Sequence, residues 1–248
     1  MIRVFTKTLG VILTILLGIF VLLLILLHTS SSDLNSSLKR QASAHPLLRE
    51  IFQLHSYGDG RADYLLARYR LISVEIDYLR GYAPGAEVRS ELEADLERLT
   101  GKQVEVRLDE ELPGDVRESY STEDLLSISA RHRRVKTSGD QAGLYILSMT
   151  RSKDHKSNVG ETLDENSFAL FSAEVRSLPD YRADQIKLEE STMLHEFGHL
   201  LGLEHSGSGV MAEEVEVLGG DIDPSNYWFS GEDLAKIEAL RKKYSQSR

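Results

Sequence analysis

The alternation of apolar and polar positions separates a membrane-like N-terminus from a longer stretch that switches between strand and helix periods. Residues 9–27 run apolar, with nothing more polar than Gly10, Thr14 and Gly18. As a helix, that length matches the hydrocarbon core of a bilayer, about 30 Å thick. A cleaved signal peptide carries a shorter apolar region and ends at a small-residue site. This run ends in Leu26-Leu27-His28-Thr29, so it reads as an uncleaved signal anchor. Arg3 and Lys7 flank it more closely than Lys39 and Arg40 do on the other side. The positive-inside rule then predicts a cytoplasmic N-terminus and a main domain outside the cytoplasm.

Residues 28–70 form a Ser-rich linker and juxtamembrane region, and the main domain is predicted over 71–248. Ile72, Val74, Ile76 and Tyr78 alternate with polar residues, the period of a half-buried strand. Val88, Leu92, Leu96 and Leu99 recur at helical spacing and Gly101 supplies a stop. Val104, Val106 and Leu108 alternate again, completing a strand–helix–strand unit long enough for a parallel crossover. Residues 125–132 predict a second helix, 143–150 a third strand and 168–175 a fourth. The polar stretch 153–166 between the last two reads as an exposed loop. Ser230-Gly231-Glu232-Asp233 followed by Leu234, Ile237, Leu240 and Tyr244 predicts a capped amphipathic helix.

Composition narrows the function classes. The chain carries 29 basic and 39 acidic side chains, a formal charge of −10. That balance excludes a nucleic-acid partner, since phosphate binding relies on Lys/Arg-rich surface. Cysteine is absent, so neither disulfides nor thiolate ligands contribute.

The chemistry concentrates in His195-Glu196-Phe197-Gly198-His199-Leu200-Leu201-Gly202-Leu203-Glu204-His205. His195 and His199 are four apart, so on a helix both imidazoles project to one face and can grip one ion. Catalytic zinc takes three protein ligands and keeps a position for water. A third ligand on the same helix would climb past the ion, so the chain must turn. Gly202 can adopt the positive φ that ends a helix, bringing His205 back as the third ligand. Glu196 sits about 100° around the helix from His195, placed to act as general base on water activated by the metal. His28, His45, His55, His132 and His155 read as solvated or locally bonded groups.

This motif resembles the signature of the metzincin zinc metallopeptidases, and Ser206 after the last histidine is similar to the matrixin branch. The resemblance implies an α+β domain with a twisted mixed sheet, an active-site helix and a C-terminal helix, preceded here by one transmembrane helix. It implies a zinc endopeptidase acting on protein or peptide. It also implies a methionine turn beneath the metal, for which Met211 is placed. The clan's antiparallel edge strand, which can pair with an extended substrate, corresponds to residues 168–175. The chain departs from matrixins in having Ala212-Glu213-Glu214 after Met211, without the wall proline, and a lone His155 in place of a structural zinc site. Asp154, Asp164, Glu165 and Asn166 are candidate calcium ligands, and Tyr227-Trp228-Phe229 either wall the substrate pocket or anchor a loop. Two alternatives stand beside the peptidase reading. One is thermolysin-like ligation with Glu213 or Glu216 as third ligand; the other is a zinc-stabilised binding or scaffold module without turnover, against which the intact Glu196 argues.

Overall fold

Strand β1 (Leu71–Tyr78) is buried along nearly its whole length, although its sequence alternates as a half-exposed strand would. Ile72, Val74 and Ile76 enter the larger core, while Ser73, Glu75 and Asp77 are buried on the opposite face. Buried carboxylates persist where donors meet them, and here they do. Glu75 accepts backbone N–H bonds from Arg134 at 2.9 Å and Val135 at 2.6 Å. Asp77 accepts from the Glu110 amide at 3.0 Å and the Tyr145 hydroxyl at 2.7 Å. Burial holds both carboxyls above the usual range, against the pull of those bonds.

This computed structural model describes residues 60–178, 185–212 and 227–245, together with Gly18 and Gly58. The anchor predicted at 9–27 lies outside the described residues apart from Gly18, as does most of the 28–70 linker. No helix among the described residues is long and apolar enough to cross a membrane. The chain divides into two compact units, Met1–Ser56 and Tyr57–Arg248, and every element from Arg61 onward belongs to the second. That unit takes in α1 (Arg61–Leu65), which the sequence places in the juxtamembrane region. Tyr64 of α1 is fully buried, edge-on to Phe197 at 5.1 Å.

From β1 the chain passes through α2 (Ala86–Thr100) to β2 (Gln103–Glu111), which pairs with β1 in parallel. This is the crossover read from the sequence. Val88, Leu92, Leu96 and Leu99 face the core, and Gly101 caps α2 in the left-handed conformation at φ 69°. Helix α3 (Thr122–His132) starts at Ser121 with a reciprocal capping box to Asp124. Strand β3 (Gln141–Met149) then returns parallel to β1 on its other side.

The next segment differs from the sequence expectation. The polar stretch expected to be a loop contains strand β4 (Gly160–Asp164), and β5 (Ser167–Phe171) follows it antiparallel. The strand expected over 168–175 stops at Phe171, and Ser172–Val175 form a short helix, α4. Because β5 also pairs with β3 in parallel, it is internal, and its unbroken apolar sequence fits burial on both faces. The antiparallel edge strand is therefore β4, not 168–175. The sheet order is β2-β1-β3-β5-β4, a five-stranded mixed sheet.

Two cores flank the sheet. On one face lie Leu144, Ile146, Phe168 and Leu170 with α2 and α5 (Gln185–Leu201). On the other, Tyr145, Leu147, Met149 and Phe171 pack against Leu125 of α3. Fully burying such side chains contributes roughly 1.5–3 kcal/mol each. The last described helix is α6 (Gly231–Ser245), where the sequence predicts one; Ile237 is buried and Leu240 and Tyr244 pack partly against the core, whereas Leu234 is exposed.

Candidate metal centre

Helix α5 presents His195 and His199 from a rigid base. Leu188, Met193, Leu194, Phe197, Leu200 and Leu201 bury its inner side. It ends at Gly202, with φ +88°. The Gly202 amide donates to the His199 carbonyl and the Leu203 amide to the Gly198 carbonyl, both at 2.9 Å. This paired closure is available to a left-handed cap residue, and it reverses the chain toward His205 as the sequence predicts.

The three predicted ligands converge. The Nε2 atoms of His195, His199 and His205 form a triangle with sides of 3.1, 3.2 and 3.3 Å. His195 Nδ1 lies 2.6 Å from the Val210 carbonyl and His199 Nδ1 lies 2.8 Å from the Leu203 carbonyl. A carbonyl only accepts, so each Nδ1 carries the proton and each Nε2 presents a lone pair to the centre. Lone pairs crowded at this distance repel unless a cation lies among them. Tetrahedral zinc with bonds of about 2.0–2.1 Å sets its nitrogen ligands about 3.3–3.4 Å apart. The donor set and its spacing fit zinc. Burial lowers the pKa of His195, and burial together with the neighbouring His195 lowers that of His199 to about 4. Both shifts favour the neutral imidazole that a metal needs.

The floor of the site is built by the turn after His205. Met211, in the 3₁₀ turn Gly209–Met211, is fully buried. It lies so close to α5 that a Cβ on Gly198 would stand 2.4 Å from its Sδ. The turn is held by the Val210 amide on the Trp228 carbonyl at 2.9 Å and the Ser206 amide on the Met211 carbonyl at 2.8 Å. Tyr227, Trp228 and Phe229 therefore anchor this turn to the core. Phe229 is buried, and Arg98 stacks over Trp228 at 3.5 Å. Asp233 of α6, fully buried, accepts from the Ser230 hydroxyl at 2.7 Å and the Ser206 hydroxyl at 3.3 Å. It ties Ser206, the residue after His205, to α6, a link with no local signature in the sequence.

Glu196 is buried and is not in the group of side chains close enough to share an ion. Its Oε2 accepts from the Thr162 hydroxyl of β4 at 2.8 Å. Burial pushes its pKa up to about 8, with Glu161 adding to the rise and the Thr162 bonds opposing it. A cation on the adjacent histidines would act in the opposite sense and favour the carboxylate. Nothing in the sequence marks Thr162 for this contact, since it sits in the polar stretch 153–166 that reads as an exposed loop.

Among the described residues one other group could share an ion: Glu75, Asp77 and Asp109. The oxygens of Glu75 and Asp77 already meet the donors that anchor residues 134–135 and β2, which accounts for their burial without a metal. The calcium candidates form no such group. Asp154 accepts from the Thr122 amide at 2.8 Å, and Arg133 reaches Asp164 at 3.2 Å and Asn166 at 2.6 Å. His132 lies beside Glu110 at 3.4 Å. Glu213 and Glu216 lie outside the described residues, and the third position of the triangle is taken by His205.

No family model matches the chain, and no curated protein matches it. Several solved structures are similar to it, the following two among them. One is an archaemetzincin from Methanopyrus kandleri, at 19% identity and a TM-score of 0.52, covering 71% of this chain and 97% of that one. The other is a zinc-dependent peptidase from Methanocorpusculum labreanum, at 13% identity and a TM-score of 0.46, covering 67% of this chain and 99% of that one. At such identities the likeness is one of fold: this chain has a mixed α/β fold with a five-stranded sheet, similar to that of an archaemetzincin.

Proposed function

We propose that the chain is a metzincin-type zinc endopeptidase, anchored in the membrane through residues 9–27 with its catalytic domain outside the cytoplasm. The observation that carries the peptidase reading is the convergence of three histidine Nε2 atoms within 3.3 Å of one another, with a buried carboxylate, Glu196, next in sequence to the first of them and outside the group that could share an ion. A purely structural site would fill its fourth position with protein. Here, among the described residues, the potential ligand group stops at three histidines.

His195, His199 and His205 would hold the ion, and bound zinc supplies Lewis acidity toward a peptide carbonyl and toward water. Glu196 accepts the proton of the attacking water and returns it to the leaving amine. The open edge of β4 orients the substrate. The Phe171 amide bonds the Val159 carbonyl at 2.8 Å. By the alternation of an antiparallel ladder, Glu161 then faces β5, whereas the amide and carbonyl of Gly160 and the carbonyl of Thr162 turn outward, the Thr162 amide being taken up by Glu196. An extended peptide can pair there.

The test is Glu196→Gln in the full-length chain. Peptide hydrolysis is expected to fall by about 10²–10⁴-fold while zinc stays at one per chain. Loss of zinc together with activity would make Glu196 a support of the metal site. A folded, zinc-loaded wild-type chain that cleaves nothing across a diverse peptide library would favour the scaffold reading.

A further inference from the structure

We propose that edge strand β4 positions the general base, with Thr162 gripping the Glu196 carboxylate and Gly160 providing the space that it occupies. The inference rests on the peptidase reading for its catalytic part and on geometry alone for the contact. A glutamate side chain has three rotatable bonds, and nothing in α5 itself fixes where its carboxylate ends. Two neighbouring positions of β4 do so. The Thr162 hydroxyl donates to Oε2 at 2.8 Å, and the Thr162 amide also hydrogen-bonds the carboxylate. Gly160, two residues earlier and on the same side of the strand, packs against the other oxygen. A Cβ there would stand 2.6 Å from Oε1, 2.8 Å from Cγ and 3.0 Å from Cδ. One position holds the carboxylate and the other admits it, so a shift at either displaces the group.

The arrangement also explains why a polar segment forms a strand. Both outward-facing residues of β4 serve Glu196, which is only 5% exposed. Because the edge that meets Glu196 is also the edge offered to an extended peptide, the strand ties substrate register to base position. Misplacing a reacting group by about 1 Å can cost about 10²-fold in rate. Thr162 is accordingly a positioning residue that acts through Glu196.

The experiment compares Thr162→Val, which keeps the shape and removes the donor, with Thr162→Ser, which keeps the donor. In the zinc-loaded full-length chain, Thr162→Val is expected to lower kcat about 10–100-fold, with KM within about twofold and zinc at one per chain. Thr162→Ser should recover most of kcat. Gly160→Ala is the second variant: it leaves Thr162 intact and should lower kcat similarly by displacing the carboxylate. Thermal melts of the metal-free chain provide a readout independent of turnover. Thr162→Val should lower Tm by a few degrees when Glu196 is present and leave it nearly unchanged in a Glu196→Ala background. Equal Tm losses in the two backgrounds would refute the contact. Unchanged kcat, or a serine variant no better than valine, would refute the positioning role. If the wild-type chain hydrolyses no peptide, the peptidase reading fails and the positioning role falls with it, while the melts still decide whether β4 grips Glu196.

Discussion

Adding one methyl group beneath α5 should test whether Met211 is a packed support of the metal site. In Gly198→Ala the new Cβ would stand 2.4 Å from Met211 Sδ, 3.2 Å from Met211 Cε and 3.1 Å from Phe229 Cε1. On an open helix face the same change would stabilise by about 0.8–1 kcal/mol through helix propensity. Here Met211 is fully buried and Phe229 nearly so, so neither can yield without moving the turn. Overpacking a close-packed core costs about 1–3 kcal/mol. Set against the propensity gain, this predicts a net loss of about 0–2 kcal/mol, with the upper end favoured because two buried side chains are struck. For a unit of this size that is a fall in Tm of up to about 8 °C. A second effect follows from connectivity. Val210 precedes Met211, and its carbonyl takes the His195 Nδ1 proton at 2.6 Å. Displacing the turn should therefore weaken zinc binding by about 10–100-fold, the range seen when a ligand's supporting bond is lost. Melts of the full-length chain by circular dichroism, with and without zinc, and competition against a chromophoric chelator measure the two effects. Met211→Ala should cost less Tm in the Gly198→Ala background than in the wild type, because relief of the clash offsets part of the cavity it leaves. A raised Tm with unchanged zinc affinity in the single variant would refute the packing argument.

His205→Ala should reduce zinc affinity substantially and leave α5 folded, measured by chelator competition and far-UV circular dichroism; unchanged affinity would support a glutamate as third ligand. Burial and the facing Asp95 carboxyl push Glu190 up to about 8. The folded state thus retains a proton that the unfolded state releases above about 4.5, and stability should fall as pH rises from about 4.5 to about 8. The slope is at most about 1.4 kcal/mol per pH unit. Glu190→Gln should flatten that slope in urea midpoints taken across the window, and an identical slope in both chains would exclude Glu190 as its source. Protease added outside intact cells should degrade the region after Leu27 and spare the N-terminus; protection of the C-terminal domain would place it in the cytoplasm.

The convergence of the three histidines and the first crossover were legible in the chain because their signals are local. Four-residue spacing on a helix puts His195 and His199 on one face, and Gly202 is free to take the positive φ that turns the chain toward His205. Likewise, the apolar periods of β1, α2 and β2 declare their own conformations, since each buries a face that its own sequence supplies. Edge strand β4 had no such signal. Leu163 is its single apolar side chain, and it exists because Phe168 and its neighbours offer a ladder and because Thr162 and Gly160 meet Glu196 across more than thirty residues of chain. The same holds for Glu75 and Asp77, which read as solvent-facing positions and are buried because amides from residues 110, 134 and 135 reach them. Periodicity reports which side of an element is apolar. Whether a polar side chain is buried depends on donors brought from elsewhere in the sequence, and only the tertiary structure assembles them.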